Sequence, residues 1–247
     1  MTSNIIVIDA IDGAGKDTLA RAILDTLAQG GRRVFDAIEF QKEYGQLPLP
    51  DHPDVLKAEF LLVCEPTYVT IKKTVESKDA SYRLRDHIVP GSKTSQRELV
   101  KMYAEDRKAL YEQLVIPFLK TGGTVIQVRG LSSSLAYQPA VDPSITIHEI
   151  MNEPGNQLEI RHAPKALFVL IITNEEAERR RKARGPKEDP SIFDAEAVQD
   201  ACRINYHSQE LRKIFTDQGT RIIDIGVQGS KQENFERVFT ALAPYLG

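Results

Sequence analysis

The segment Asp12-Gly13-Ala14-Gly15-Lys16-Asp17-Thr18 combines two glycines, a lysine and a hydroxyl residue within seven positions. Glycines let the backbone wrap closely around an oxyanion with its N–H groups turned inward. A lysine placed directly after them can reach the β- and γ-phosphates of a nucleoside triphosphate. Other residues could complete such chemistry. Tyr103 and Arg107 are four apart, so on a helix they share a face, where a ring could stack on a planar base and a guanidinium could donate to its carbonyl. Arg129 could grip a phosphate with a forked contact. Arg179, Arg180, Arg181, Lys182 and Arg184 form a dense basic run from which an arginine could cover a transferring phosphoryl group. Glu65 could order a water on a cation or a sugar hydroxyl. Read alone, each has a plainer meaning: a core tyrosine beside a surface arginine, a surface ion pair, a solvated helical face, a capping carboxylate.

The elements that must position these residues are legible. Ile5-Ile6-Val7-Ile8 is a β-branched run that predicts a buried parallel strand. Leu19, Ile23, Leu24 and Leu27 follow the glycine loop at helical spacing until Gly30-Gly31 ends the helix. The loop therefore joins a strand to a helix N-terminus, whose dipole favours an anion. Further strands are expected at Val34-Phe35, Phe60–Val63, Thr124–Ile126, Leu167–Ile172 and Arg221–Asp224. Long helices are expected over Ser95–Leu119 and about Asp194–Phe215. Residues 41–54 read as a loop and 139–164 as an irregular, proline-punctuated segment. Strands alternating with helices predict an α/β fold with a parallel sheet covered on both faces. Arg129 then falls at the carboxyl edge of a strand, where such sheets bind ligands.

Composition narrows the function class. The net charge is −3 with 27% charged residues, which argues against a general nucleic-acid binder. Cys64 and Cys202 are far apart and lack metal-ligand spacing, which predicts a reduced, cytoplasmic protein. No segment reads as a signal peptide or membrane span. His148, His162 and His207 have no metal spacing and read as structural or exposed, and Cys64 as a small buried hydrophobe.

Several pieces in order resemble the thymidylate kinase family. Ile11–Lys16 resembles its Asp-Gly-Ala-Gly-Lys loop, and Glu65-Pro66 its Glu-Pro element. Tyr103–Arg107 resembles its aromatic-x-x-x-Arg segment. Arg129 with Ser132-Ser133-Ser134-Leu135-Ala136-Tyr137-Gln138 resembles its Asp-Arg-Tyr…Ser-Ser-Leu-Ala-Tyr-Gln stretch. Arg179–Gly185, Arg203 and Tyr206 resemble the basic lid and following helix of the bacterial-type members. The resemblance runs over about residues 5–243. It implies a P-loop NTPase fold with a five-stranded parallel sheet in one domain over residues 1–247. Added length falls at 36–59 and 139–165, and a lid at about 179–193.

It also implies an activity: transfer of the γ-phosphate of ATP to thymidine monophosphate, with Mg²⁺, by a homodimer that acts on a small nucleotide and needs neither nucleic acid nor membrane. Residue by residue, Asp12, Gly13, Ala14, Gly15, Lys16, Asp17 and Thr18 would hold ATP. Lys16, Arg129, Arg184 and Arg180 would serve catalysis. Glu65, Tyr103, Arg107, Arg129, Ser134, Tyr137 and Gln138 would hold the acceptor, with Tyr103 stacked on the base, Arg107 bonded to it and Tyr137 beside the deoxyribose.

The departures gather at the metal and the acceptor phosphate. Ala10 stands for the first glycine of the phosphate-loop pattern and Asp17 for its Ser or Thr. Val128 stands for the Asp before Arg129, Gly130 for the following aromatic, and Cys64 for an Arg. Glu76 falls near an expected Arg, with Lys72 and Lys73 close by. Asp17 is accordingly the candidate metal ligand, since a carboxylate beside phosphates calls for a cation between them. A helix N-terminal role for Asp17 satisfies the same electrostatics. A kinase for a different nucleotide or nucleoside, and a nucleotide-binding protein without turnover, are the alternatives.

Overall fold

The computed structural model describes residues 3–67, 84, 86–185 and 190–246. Lys72, Lys73 and Glu76, and residues 186–189 of the expected lid, lie outside them. Among the described residues, six parallel strands form one sheet in the order β2-β3-β4-β1-β5-β6. They are β1 (Ser3–Asp9), β2 (Val34–Asp36), β3 (Phe60–Cys64), β4 (Thr124–Val128), β5 (Pro164–Ile171) and β6 (Arg221–Gly226). Every strand expected from the sequence is present, and the sheet has one strand more than the five-stranded core that the resemblance implies. β6 accounts for an edge, paired along β5 from Ala166↔Arg221 to Ile171↔Gly226.

The central strands β1, β3 and β4 are buried along almost their whole length. This is why they read as continuous apolar runs rather than alternating ones. The helix α1 (Lys16–Gln29) turns Leu19, Ile23, Leu24 and Leu27 into the same core. Fully burying each such side chain contributes roughly 1.5–3 kcal/mol.

Three sequence expectations are corrected in detail. Residues 41–54 are not simply a loop: the end of α2 (Ala37–Tyr44) and the start of α3 (Pro53–Lys57) flank a short connection. Asp36 caps α2 through Ile38 and Glu39 N–H. Phe40 packs 4.5 Å from Tyr44 and 5.4 Å from His52 between ring centroids, which gives the segment its own small cluster. The Ser95–Leu119 helix is α4 (Gln96–Leu110), which passes through a π turn at Tyr111–Val115 into α5 (Ile116–Lys120). Pro117, which lacks a donor, sits just beyond that turn. The Asp194–Phe215 helix is α10 (Glu196–Asn205) and α11 (Gln209–Thr216). Ser208 caps α11 by accepting from Leu211 N–H, so the chain restarts rather than continues.

The correction with most bearing on the site concerns residues 139–164. They are largely helical: the end of α6 (Leu131–Val141), then α7 (Ile147–Met151) and α8 (Pro154–Arg161). A side chain at Gly155 would place its Cβ 1.7 Å from the Ala104 carbonyl oxygen. Glycine there lets α8 lie directly against α4. The remaining helices are α9 (Asn174–Arg184) and α12 (Lys231–Leu242). Among the described residues no helix is long and apolar enough to cross a membrane.

Candidate active site at the carboxyl edge of the sheet

β1 ends at Asp9, and the chain turns over the sheet edge into α1. Gly13 and Gly15 have φ of 91° and 87°, the left-handed region that a β-carbon disfavours. A Cβ on Gly13 would stand 2.6 Å from the Ala177 carbonyl oxygen, so the loop is also pressed against α9. The first bond of α1 runs from Leu19 N–H to the Gly15 carbonyl. Among the described residues, no backbone N–H from Gly13 to Thr18 has a protein acceptor. Six donors at a helix N-terminus are the arrangement that holds phosphate oxygens. Lys16 is 2% exposed. Burial, and next the charge of Arg129, bring its ammonium down to about 8. The charges of Asp17, Asp12 and Asp9 oppose that fall, but among the described residues none forms an ion pair with Lys16, and a buried lysine so placed is a poor structural element and a good partner for an anion. Asp17 and Thr18 are exposed in the first turn.

The basic helix α9 lies over this loop. Arg184 Nη2 donates to Asp12 Oδ2 at 2.9 Å, and Arg181 Nη1 to the Asp12 carbonyl at 3.0 Å. Gln199 of α10 accepts from Asp12 N–H at 2.8 Å, and its own amide donates to the Phe193 carbonyl. Arg180 goes elsewhere. Its Nε pairs with Glu176 and its Nη2 donates to the Val227 carbonyl at 2.6 Å. The structure thus brings Arg184, not Arg180, to the phosphate loop, and adds Arg181.

Arg129 follows β4 with φ of 64°, a conformation uncommon outside glycine. Its Nη1 donates to Ser133 Oγ at 3.2 Å, and its guanidinium carbon lies 5.3 Å from the Tyr137 ring centroid. Asp9 stands beneath. It accepts from Ser132 Oγ at 2.6 Å, Ser133 Oγ at 2.8 Å, Tyr206 Oη at 2.9 Å and Ala10 N–H at 2.9 Å. These bonds fill its acceptor capacity. Asp9 is therefore an anchor for α6 and α10, and it is not free to replace the carboxylate missing at Val128.

A second cluster lies beside the loop. Arg107 is 1% exposed, so the surface-arginine reading fails. Its Nη2 is 2.6 Å from Glu65 Oε2 and 3.2 Å from Ser134 Oγ. Its Nε is 3.0 Å from Glu159 Oε2 and 3.2 Å from Glu65 Oε1, and its Nη1 donates to Asn156 Oδ1. Of the five N–H groups of a guanidinium, one on Nη1 is left without a partner among the described residues. Gln127 donates to Glu65 Oε1 at 3.0 Å and accepts from Tyr111 Oη. Asp106 holds the next stretch of chain, accepting from Thr67 N–H and Thr67 Oγ1, both at 2.8 Å. Burial pushes Asp106 up to about 7 and Glu159 up to about 8. Glu65 is raised by burial as well.

Ser134 and Gln138 are one turn apart on α6 and share a face. The Oε1 of Gln138 is buried and has no hydrogen-bond partner among the described residues. Tyr103 is half-buried, and its ring stands 6.0 Å from Phe193, which is 5.8 Å from Tyr137. These rings and Tyr206 make an aromatic wall. Cys64 is buried at the end of β3, where desolvation pushes its thiol up. His148 and His207 are exposed and His162 is half-buried. Among the described residues no group of three His, Cys, Asp or Glu is placed to hold a metal.

The site also contains residues that sequence reasoning did not single out: Asp9, Asp106, Asn156, Glu159, Phe193 and Gln199. The one sequence signal for the α8 pair was Gly155, since an isolated glycine in a helix marks a close approach.

Comparison with known proteins agrees with this geometry. The thymidylate kinase family model matches residues 62–234. The chain is 27% identical over 207 residues to a protein named "Probable thymidylate kinase" from Pyrococcus abyssi (strain GE5 / Orsay), covering 83% of this chain and 82% of the relative. It is 27% identical over 207 residues to the thymidylate kinase of Xanthomonas campestris pv. campestris (strain B100), covering 84% and 72%. A protein named "Probable thymidylate kinase" from Thermococcus onnurineus (strain NA1) is 30% identical over 133 residues, covering 54% and 52%. The chain belongs to the thymidylate kinase family.

Proposed function

We propose that the protein transfers the γ-phosphate of ATP to the phosphate of thymidylate, forming the diphosphate and ADP. The observation that carries this reading is Lys16, a lysine buried at a glycine loop whose N–H groups have no protein acceptors among the described residues. In this reading Gly13 to Thr18 and Lys16 hold the β- and γ-phosphates, and Arg129 holds the acceptor phosphate. The reaction asks the protein for alignment and charge neutralisation more than for covalent chemistry. Arg184 supplies charge to the transferring group when it leaves Asp12. Mg²⁺ would be held chiefly by phosphate oxygens, with Asp17 as the nearby exposed carboxylate, and would neutralise charge on those oxygens.

The acceptor base is read from the second cluster. Arg107 has one spare N–H and Gln138 one bare oxygen. A carbonyl next to an imide N–H, the edge of thymine, complements that pair. Cytosine offers an amino group and a ring acceptor in the reverse order. Tyr103 would stack on the ring and Tyr137 would lie beside the sugar. Glu65 bonds Arg107, so it acts on the base through that guanidinium. One kinase domain, a homodimer and a cytoplasmic setting belong to the same proposal.

A coupled ADP-release assay across the nucleoside monophosphates, with and without Mg²⁺, tests it. The expected result is Mg²⁺-dependent turnover that is highest with thymidylate. ADP release that no monophosphate accelerates would overturn the reading.

A further inference from the structure

Glu159 is fully buried on α8 and is absent from every motif considered above. Its Oε2 lies 3.0 Å from Arg107 Nε, whose one N–H donates to Glu65 Oε1, and accepts from Leu131 N–H at 2.8 Å. The first contact reaches the base-facing arginine, and the second reaches the first residue of α6, the helix that carries Ser134 and Gln138. Glu159 therefore joins the two elements whose spare donor and bare acceptor define the base subsite. Glu65 meets the same guanidinium through Nη2 and Nε, so Arg107 lies between carboxyl groups from the residue after β3 and from α8.

The space for this clamp comes from residue 130. A Cβ built on Gly130 would stand 2.9 Å from Glu159 Oε1, 3.2 Å from Glu159 Oε2 and 2.9 Å from Gln127 Nε2. Gly130 has φ 169° and ψ −153°, extended backbone that any residue can adopt. Its lack of a side chain is thus not demanded by conformation. The ends of the Glu159 and Gln127 side chains fill the place of its Cβ, so a side chain here would have to displace them. The aromatic expected here from the resemblance has no room while Glu159 occupies that position. Gly155 completes the arrangement by letting α8 approach the Ala104 carbonyl.

We propose that Glu159 is a positioning residue for acceptor recognition: together with Glu65 it fixes the Arg107 guanidinium, and Gly130 is the residue that gives it room. The inference rests on the proposed function, since it needs Arg107 to meet the acceptor base.

The test compares KM for thymidylate, KM for ATP and kcat in wild type, Glu159→Leu, Glu159→Gln, Gly130→Ala and Arg107→Ala. Each variant is first checked for a cooperative melt. Glu159→Leu removes the acceptor of Leu131 N–H and the carboxyl group that lies against Arg107 Nε. KM for thymidylate should rise about tenfold, the scale of a hydrogen bond to a charged group, while KM for ATP stays within about twofold. Glu159→Gln keeps a carbonyl oxygen for Leu131 N–H and beside Arg107 Nε and should restore most of that loss. Gly130→Ala should raise KM for thymidylate in the same direction, and it keeps the test alive if Glu159→Leu does not fold. A general loosening of the fold would move kcat and both KM values together and would overturn the inference. So would an unchanged thymidylate KM in the folded Glu159→Leu or Gly130→Ala enzyme when Arg107→Ala raises it. Failure of wild type to phosphorylate thymidylate, or an Arg107→Ala enzyme with unchanged acceptor kinetics, would instead strike the functional reading beneath it.

Discussion

Arg184 Nη2 lies 2.9 Å from Asp12 Oδ2, which ties the basic helix α9 to the phosphate loop. The pair is partly open to water, so its contribution to stability is small, of the order of 0–1 kcal/mol. Its weakness suits a contact that must exchange. Arg180, one helical turn back, is committed to the carbonyls of Val227 and Gly229. Arg184→Ala should lower kcat by about 10²–10³, the loss typical of one charge-stabilising donor. Arg180→Ala should act mainly through α9 and the loop after β6, with a smaller kcat effect and a lower Tm. Steady-state kinetics and melting curves of the two variants check the contrast.

Asp17 is exposed in the first turn of α1, and its charge raises Lys16. If Asp17 supports the metal, Asp17→Asn should raise the Mg²⁺ concentration for half-maximal activity, and Val128→Asp in that background should restore part of it. If Asp17 serves only the helix N-terminus, the midpoint should not move. A Mg²⁺ titration at saturating ATP separates the two.

Arg107→Ala carries two costs. The acceptor loses its contact, so KM for thymidylate should rise roughly five- to hundredfold, as expected for 1–3 kcal/mol of an unpaired polar group. The buried Glu65 carboxylate also loses its counter-charge, and Glu159 loses the guanidinium beside it. Breaking a buried ion pair on one side costs about 3–5 kcal/mol. Urea denaturation should therefore show a large drop in midpoint for Arg107→Ala and a small one for Tyr103→Phe.

The phosphate loop was legible because its function is local. Strand, glycines, lysine and helix succeed one another within residues 5–27, and each obeys a propensity rule. Spacing put Tyr103 and Arg107 on one helix face, but the reading of these two and of Ser134 and Gln138 as base contacts came from the resemblance. Glu159 and Asn156 were not legible, since both reach Arg107 only because α8 packs on α4 across some fifty residues of chain. Asp9 ends a strand and looks like any strand-end carboxylate. Its role comes from Ser132, Ser133 and Tyr206, which arrive from α6 and from the residue after α10. The proline-punctuated stretch 139–164 misled for a related reason. Pro154 sits in the first turn of α8, where a missing N–H costs nothing, so it starts a helix rather than breaking one.

Burial also sets a pH dependence. Glu159 is raised from 4.5 to about 8, and Asp106 from 3.8 to about 7. A carboxyl raised in the folded state favours folding relative to its ionised form at low pH, and that advantage is lost as pH climbs through the folded value. Stability should therefore decline between about pH 5 and pH 8. Glu159→Gln, which cannot ionise, should gain on wild type over the same window. Melting temperatures of the two proteins across this range check the sign, and a constant difference would contradict it.

The central claim is that the γ-phosphate of ATP passes to thymidylate at Lys16. Incubating the protein with γ-labelled ATP and thymidylate, and separating the products, reads this transfer directly. The account predicts label in thymidine diphosphate from wild type and none from Lys16→Ala, with the variant's melting curve retained because Lys16 serves phosphates rather than the core. Label released only as inorganic phosphate, or label reaching the diphosphate unabated in Lys16→Ala, would contradict it.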